Sequence, residues 1–588
     1  MGIMNESYSY TNYSDFDPGR GGATPLFEFG VDGDTLEVAV SDETYDVDRE
    51  TIPTTIDDAL NLLYDRDLVA RYADDPAGTF VTLNGDFVAG RLQPKDAVSL
   101  AELAFLHAGN GGGSPYYLAA AVYGWAYLFP RDAAATPRRF DPRVRLACDL
   151  YNRGLSEGLK KGVNVDVSGG TYPLPFGTLV LTVDRATLAW SGHQLIDFFP
   201  VADLEVKGFP TYYRWPGLGA PLAARVVPNE GERDLLAPRA RVPVTAVVRP
   251  TDPSRPLGEG DIQATLELYP GYGDGTVKVG TREIPLEAEP TATLALALSE
   301  TDIWGREAAG FLRGTGVIGA KPRLVSTRPY QPGLIPVVFV HGTGSSAARW
   351  AMLVNDLDND PRIHDRYQFW AFSYETGNPI IYSAMRLREA LQHAVTKLDP
   401  EGHDPALQRM VVIGHSQGGL LTKAMVVESG DRFWANVSNK SIDEVRLSDQ
   451  SRDLARRAAF FHPLPFVQTV VFVSTPHRGS YVAGGWLAHQ VARLVRAPLD
   501  VTRIVTELGT FDRQALAIEG LRGAPTAVDN MEGTGPPQGK NDGVVEYDSA
   551  HIDGVASEVV VDSPHSCQSN PHTIQEVRRI LLEHLGAP

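Results

Sequence analysis

Cysteine is nearly absent: Cys148 and Cys567 are all that 588 residues contain. That excludes a disulfide framework and leaves no CxxC metal knuckle. Positive charge is also short, with 53 Lys and Arg against 73 Asp and Glu and a net charge of −20. A nucleic-acid partner needs a phosphate-neutralising surface, so this balance argues against one. Long apolar runs are missing too. The longest, Tyr116 to Pro130 (YYLAAAVYGWAYLFP), falls short of the roughly 20 residues that cross a bilayer and predicts a buried helix. The first residues, MGIMNESYSYTNYSDFDPGRGG, have neither a basic n-region nor an apolar h-region. The expectation is therefore a cytoplasmic protein by default, or an exported one if a leader has been removed. What is plentiful is ordinary globular material: 43% hydrophobic and 21% charged residues, with 57 Gly and 42 Pro marking many turns. The length suits several domains.

The charge is uneven. Residues 1–60 hold 14 acids against Arg20 and Arg49, which predicts a solvated acidic front. Asp32-Gly33-Asp34 is too short to be a cation loop. Residues 1–22 are expected to be a flexible acidic arm. Residues 23–165 are expected to be mainly helical, because Ile56–Leu63 and Val144–Tyr151 repeat apolar positions at helical spacing. Gly109–Pro115 breaks this region; no strand precedes it and no Lys follows it, so it is not a phosphate-cradling loop. Residues 166–330 are expected to be a β-rich module, a sandwich, built on runs such as Thr178–Val183, Pro243–Val248 and Ala264–Tyr269. From 331 to 588 strands alternate with helices: Pro336–Val340, Ala348–Leu357, Gln368–Phe372, Ser383–Leu398, Met410–Ile413, Gly418–Val427, Val467–Val473. That pattern predicts an α/β domain, a mostly parallel sheet wound with helices on both faces.

The chemistry concentrates in this last part. Val411-Val412-Ile413-Gly414-His415-Ser416-Gln417-Gly418-Gly419 is a G-x-S-x-G between an apolar strand and a helix. A nucleophilic serine must stand on a sharp, strained turn, which needs small residues two before and two after it. The helix N-terminus beside it favours a developing oxyanion. Pro336–Val340 ends in His341-Gly342-Thr343, and the loop after that strand has to donate an N–H to a tetrahedral intermediate. Thr343 and Gln417 are the candidate oxyanion donors. His341 is read as a residue bracing the loop rather than as a base.

These motifs resemble the α/β-hydrolase superfamily, and within it the bacterial lipases and esterases, over about residues 331–588. Val470–Gly479, with its T-P-H-x-G stretch, is similar to the segment after the nucleophile helix in those lipases. The resemblance implies an acid and then a histidine in chain order. Lys540-Asn541-Asp542-Gly543-Val544-Val545 looks like the N-D-G-x-V segment that carries the acid, which points to Asp542, with Asp562 and Glu546 as alternatives. His565, on the loop after an expected strand Val559–Val561 and before a closing helix Thr573–Leu585, fits the base; His572 is the alternative. In that template His565 takes the proton of Ser416 and returns it to the leaving alcohol, while Asp542 fixes the imidazole tautomer. His477 is read as bracing its turn and Cys567 as packing.

The expected function is thus a serine carboxylic-ester hydrolase of carboxylesterase or triacylglycerol lipase type, with no cofactor and no metal called for. Its partner would be a small-molecule or lipid ester. The alternatives are a phospholipase, a polyester depolymerase or an acyltransferase on the same scaffold, or a catalytically idle binding scaffold. Insertions at 428–465 and 480–530 are candidate lid or cap segments. In the second, Leu487, Val491, Leu494 and Val495 fall on one helical face, which suits either contact with a lipid surface or polymer, or packing on the core.

Overall fold

The computed structural model describes residues 39–40, 56–138, 140–202, 204–206, 208–237, 239–251, 261–271, 275–300, 322–478, 503–504, 506–508 and 541–586. The expected arm at 1–22, and the amphipathic stretch Leu487–Val495, lie outside these. The chain divides into two compact units, one comprising mainly Glu37–Val227 and Arg239–Ala297, the other mainly Pro228–Pro238 and Leu298–Pro588.

In the first unit six helices come first: α1 (Ile56–Tyr64), α2 (Val69–Asp74), α3 (Pro76–Val88), α4 (Asp96–His107), α5 (Ser114–Leu128) and α6 (Arg143–Gly158). The apolar run singled out in the sequence is α5, buried from Leu118 to Leu128. The Gly-rich break between α4 and α5 turns with Gly111 and Gly113 at φ +106° and +69°, conformations open to glycine. Seven of the strands after them are β1 (Gly170–Leu174), β2 (Gly177–Val183), β3 (Ala189–Trp190), β4 (His193–Pro200), β5 (Ala220–Val226), β6 (Arg241–Pro250) and β7 (Ile262–Pro270). They form a single sheet in the order β1-β2-β7-β6-β5-β4-β3, mixed because β7 runs parallel to β2. Instead of the expected sandwich, the strands form one seven-stranded sheet and three two-stranded ladders. The seven-stranded sheet packs against helix rather than a second sheet: the Tyr151 hydroxyl of α6 donates to Val248 O at 2.7 Å. Strand periodicity shows that a face is apolar; it does not say what covers that face.

The second unit carries β8 (Arg323–Ser326), β9 (Ile335–Val340), α7 (Ala351–Asp358), β10 (Tyr367–Ser373), α8 (Ile380–Leu398), β11 (Met410–His415), α9 (Gln417–Lys423), α10 (Asp449–Ala459), β12 (Val467–Val473) and α11 (Pro571–His584). The sheet order is β8-β10-β9-β11-β12. β9, β10, β11 and β12 are parallel, and β8 runs antiparallel on the edge. The central strands are almost wholly apolar because both faces are covered, as in Ile335–Val340, which is buried at every position. Val338, Val340, Met410 and Val412 join a core with Leu387 and Leu391 of α8 and Leu421 of α9. The alternate residues Val337, Phe339, Val411 and Ile413 join another with Leu353 and Leu357 of α7 and Ile574, Val577 and Leu581 of α11. This α/β layering brings the C-terminal ends of β9 and β11 side by side, the place where parallel sheets build sites.

The segment 428–465 has a small core of its own, Trp434, Ile442, Val445, Ala455 and Ala459, which also takes in Leu508. The Val559–Val561 strand expected before the closing helix does not form. Val559 and Val560 are 52% and 64% exposed, and β-branched residues alone did not make a strand where no neighbour among the described residues pairs with them.

Candidate active site

Ser416 stands at the junction of β11 and α9 with φ +52° and ψ −124°. A non-glycine residue held there costs on the order of 1–3 kcal/mol and persists only where its surroundings impose it. They do so here. The Ser416 N–H donates to Val473 O of β12 at 2.9 Å, and the Ser416 carbonyl accepts from Gly419 N–H at 3.0 Å. The flanking glycines are demanded by close approach. A Cβ on Gly414 would lie 2.4 Å from Thr422 Oγ1, and one on Gly418 2.3 Å from Val340 O.

The structure brings His565 and Asp542 to this serine. His565 Nε2 lies 2.9 Å from Ser416 Oγ, and His565 Nδ1 lies 2.8 Å from Asp542 Oδ2. The other carboxylate oxygen, Oδ1, accepts from Val544 N–H at 2.9 Å and Val545 N–H at 2.7 Å. That local bonding follows from the Asn-Asp-Gly sequence, in which Gly543 takes φ +90° and Asn541 Oδ1 accepts the Gly543 N–H. Burial by itself would raise the Asp542 pKa; the His565 ring and the two N–H donors outweigh it and hold the carboxyl below its ordinary value. A carboxylate fixed in this way accepts Nδ1–H, which leaves the Nε2 lone pair facing the serine hydroxyl.

Beside Ser416 runs the loop after β9. Thr343 Oγ1 donates to Gln417 Oε1, Gln417 Nε2 donates to Thr376 O at 3.2 Å, and Gly344 N–H donates to Thr376 Oγ1 at 3.2 Å. The two oxyanion candidates are thus tied together through their side chains. The Gln417 N–H, at the first turn of α9, is one of the donors a helix leaves unpaired. His341 is buried and braces the loop. Its Nδ1 lies 3.1 Å from Gly342 O, Tyr374 N–H donates to its Nε2 at 3.4 Å, and its ring stacks on Tyr374 at 4.5 Å. Burial lowers its pKa to about 4, so the ring is neutral.

The alternatives stay apart from the serine. His572 is exposed, with its N–H donated to the Asn570 cap of α11. Asp562 and Glu546 are exposed as well. Neither ring nitrogen of His477, expected to brace its turn, has a hydrogen-bond partner among the described residues. Its ring packs edge-on against Phe472, and its pKa is lowered to about 4 by burial and then by Lys423 and Arg478. Cys567 is buried, its Sγ 3.3 Å from Ser474 Oγ. Two residues here escaped the sequence reading: Thr376, which no local signal marks, and His415, whose Nε2 lies 2.8 Å from His565 O. Among the described residues no group of three or more His, Cys, Asp or Glu could hold a metal ion, and no helix is long and apolar enough to cross a membrane.

No protein family model matches the chain, and no curated protein matches it. Among solved structures the chain is similar to Bacillus licheniformis lipase BlEst2 in its mature form, at 16% identity and a TM-score of 0.25 over 44% of this chain and 97% of that one. The propeptide form of that lipase gives 15% identity and a TM-score of 0.24 over 45% of this chain and 53% of that one. A Listeria innocua gene product gives 13% and 0.19 over 42% and 94%. Each of these matches covers less than half of this chain.

Proposed function

We propose that the second unit is an α/β-hydrolase domain and that the protein is a serine carboxylic-ester hydrolase. The observation that carries this reading is the unbroken hydrogen-bond path Asp542–His565–Ser416, ending on a serine at a strained strand-to-helix turn. Ser416 attacks the ester carbonyl as His565 Nε2 takes its proton; the imidazolium is stabilised by Asp542 and then protonates the leaving alcohol. The N–H groups of Thr343 and Gln417 receive the negative oxygen of the tetrahedral intermediate. Water, activated by the same histidine, releases the acid and restores the serine. No step calls on a cofactor.

The acid and alcohol portions of the ester are a matter for experiment. An organophosphonate should add covalently to Ser416, as read by intact mass and peptide mapping, and p-nitrophenyl esters of graded chain length should be hydrolysed. Parallel assays on triacylglycerol, phospholipid and polyester separate an esterase from a lipase, phospholipase or depolymerase. Neither phosphonate adduct nor turnover on any ester would sink the proposal and favour a binding scaffold. The segment 428–465 is proposed as a lid or cap; the other candidate, 480–530, lies almost wholly outside the described residues. A rise in activity at the solubility limit of the ester, lost on shortening 428–465, tests that role.

A further inference from the structure

The proposed base sits on an unusual support. In a wound parallel sheet a strand end ordinarily carries such a residue to the site, yet residues 557–561 before His565 form no strand, and their valines are exposed. What fixes the height of His565 must therefore come from elsewhere. Its carbonyl accepts from Cys567 N–H at 3.0 Å within its own turn and lies 2.8 Å from His415 Nε2, across from β11.

We infer that His415 is a positioning residue, whose ring bonds the main chain of His565 and so sets the base against Ser416. The inference rests on the hydrolase reading above. A carbonyl oxygen can only accept, so His415 Nε2 carries the hydrogen. The ring is 4% exposed and lies 4.9 Å from the His565 ring. Burial, followed by the neighbouring His565, lowers its pKa to about 3. It is therefore neutral, with a bare lone pair on Nδ1 that finds no partner among the described residues. That buried unpaired atom is a cost, and it calls for a compensating role. The ring also abuts the oxyanion loop: a Cβ on Gly342 would lie 3.0 Å from His415 Nδ1 and 2.8 Å from Ser416 Cβ. One imidazole thus spaces the base loop from the donor loop, while the residue next to it supplies the attacking hydroxyl. Asp542 orients the His565 ring; His415 holds the backbone that the ring hangs from.

The test compares the wild type with His415→Phe, which keeps a ring without the donor, and His415→Gln, whose amide N–H reaches the Nε2 position. A misplacement of about 1 Å can cost on the order of 10² in rate. His415→Phe should therefore lower kcat on p-nitrophenyl butyrate about 100-fold, with KM within about threefold, and His415→Gln should recover at least tenfold of that loss. Imidazole ¹⁵N–¹H spectra of the wild type should show His415 neutral at pH 5, with its hydrogen on Nε2 in a hydrogen bond. A kcat for His415→Phe within about threefold of wild type, equal losses in both variants, or a doubly protonated His415 ring overturns the inference. If His415→Phe does not fold, His415→Gln and the wild-type spectrum still decide. A wild type that hydrolyses no ester and takes no phosphonate sinks the hydrolase reading instead, and the Nε2–H resonance still tests the bond to His565.

Discussion

In the proposed mechanism Ser416 becomes a nucleophile only if its proton has somewhere to go, and on that reading the order of the three side chains sets how much each removal should cost. Ser416→Ala deletes the attacking atom and should cut turnover of a soluble ester by about 10⁶, with binding little changed. Asp542→Asn keeps the shape of the turn but lets the imidazole settle in the wrong tautomer, for which a loss of about 10⁴ is expected. Initial rates on p-nitrophenyl butyrate check both, and a serine variant that retains full activity would remove Ser416 from the chemistry. In the sequence Ser416 was marked by its own turn, between Gly414 and Gly418, whereas Asp542 and His565 were marked only through the family resemblance, His565 with the help of a Val559–Val561 strand that does not form. His415 and Thr376 were not marked at all. Their partners lie 150 and 41 residues away in the chain, and a ring or a carbonyl reaching that far leaves no spacing to read.

Between elements, the site depends on how closely α9 can approach β9. A Cβ at position 418 would meet Val340 O at 2.3 Å and His341 O at 2.5 Å, both backbone atoms that no rotamer change can move. Gly418→Ala should therefore push the helix away from the strand and destabilise the protein by about 1–3 kcal/mol, as overpacking does. It should also weaken ester turnover, since the Gln417 N–H moves with the helix. Urea midpoints and initial rates measured on the same preparation test this; an unchanged midpoint would mean that the two elements are less tightly held than they look. The parallel strands of this unit were readable because burial on both faces leaves an uninterrupted apolar run, as in Ile335–Val340, whereas the short edge strand Arg323–Ser326 was not. The same cue misled at Val559–Val561. Three valines carry strand propensity, but a strand needs a paired neighbour, which lies beyond local sequence. The sheet of the first unit shows the complementary limit: the runs Thr178–Val183, Pro243–Val248 and Ala264–Tyr269 and the helical stretches 116–130 and 144–151 could be read, whereas the packing of one on the other could not.

At the scale of the whole molecule, buried neutral histidines tie stability to pH. His341 and His415 are fully enclosed in the second unit, with pKa values lowered by burial to about 4 and about 3, whereas an unfolded histidine titrates near 6.5. Below pH ~6.5 the unfolded chain takes up protons that the folded chain refuses, and linkage then favours unfolding. Stability is complete above that value and drains away as pH falls toward the folded pKa values, at up to about 1.4 kcal/mol per pH unit for each group. The lowered carboxyl of Asp542 acts in the same sense at still lower pH. Its contribution is present above the unfolded carboxylate pKa and is lost as pH falls through the folded one. Urea midpoints should therefore decline from pH 6.5 to pH 4.5. His341→Phe separates this linkage from ordinary acid effects. It should be less stable at pH 7, because Tyr374 N–H and Gly342 O lose their partner. Its midpoint should nevertheless fall less steeply toward pH 4.5, because one proton-refusing ring is gone. Equal slopes in the variant and the wild type would show that the His341 ring already takes up a proton in the folded state within this range.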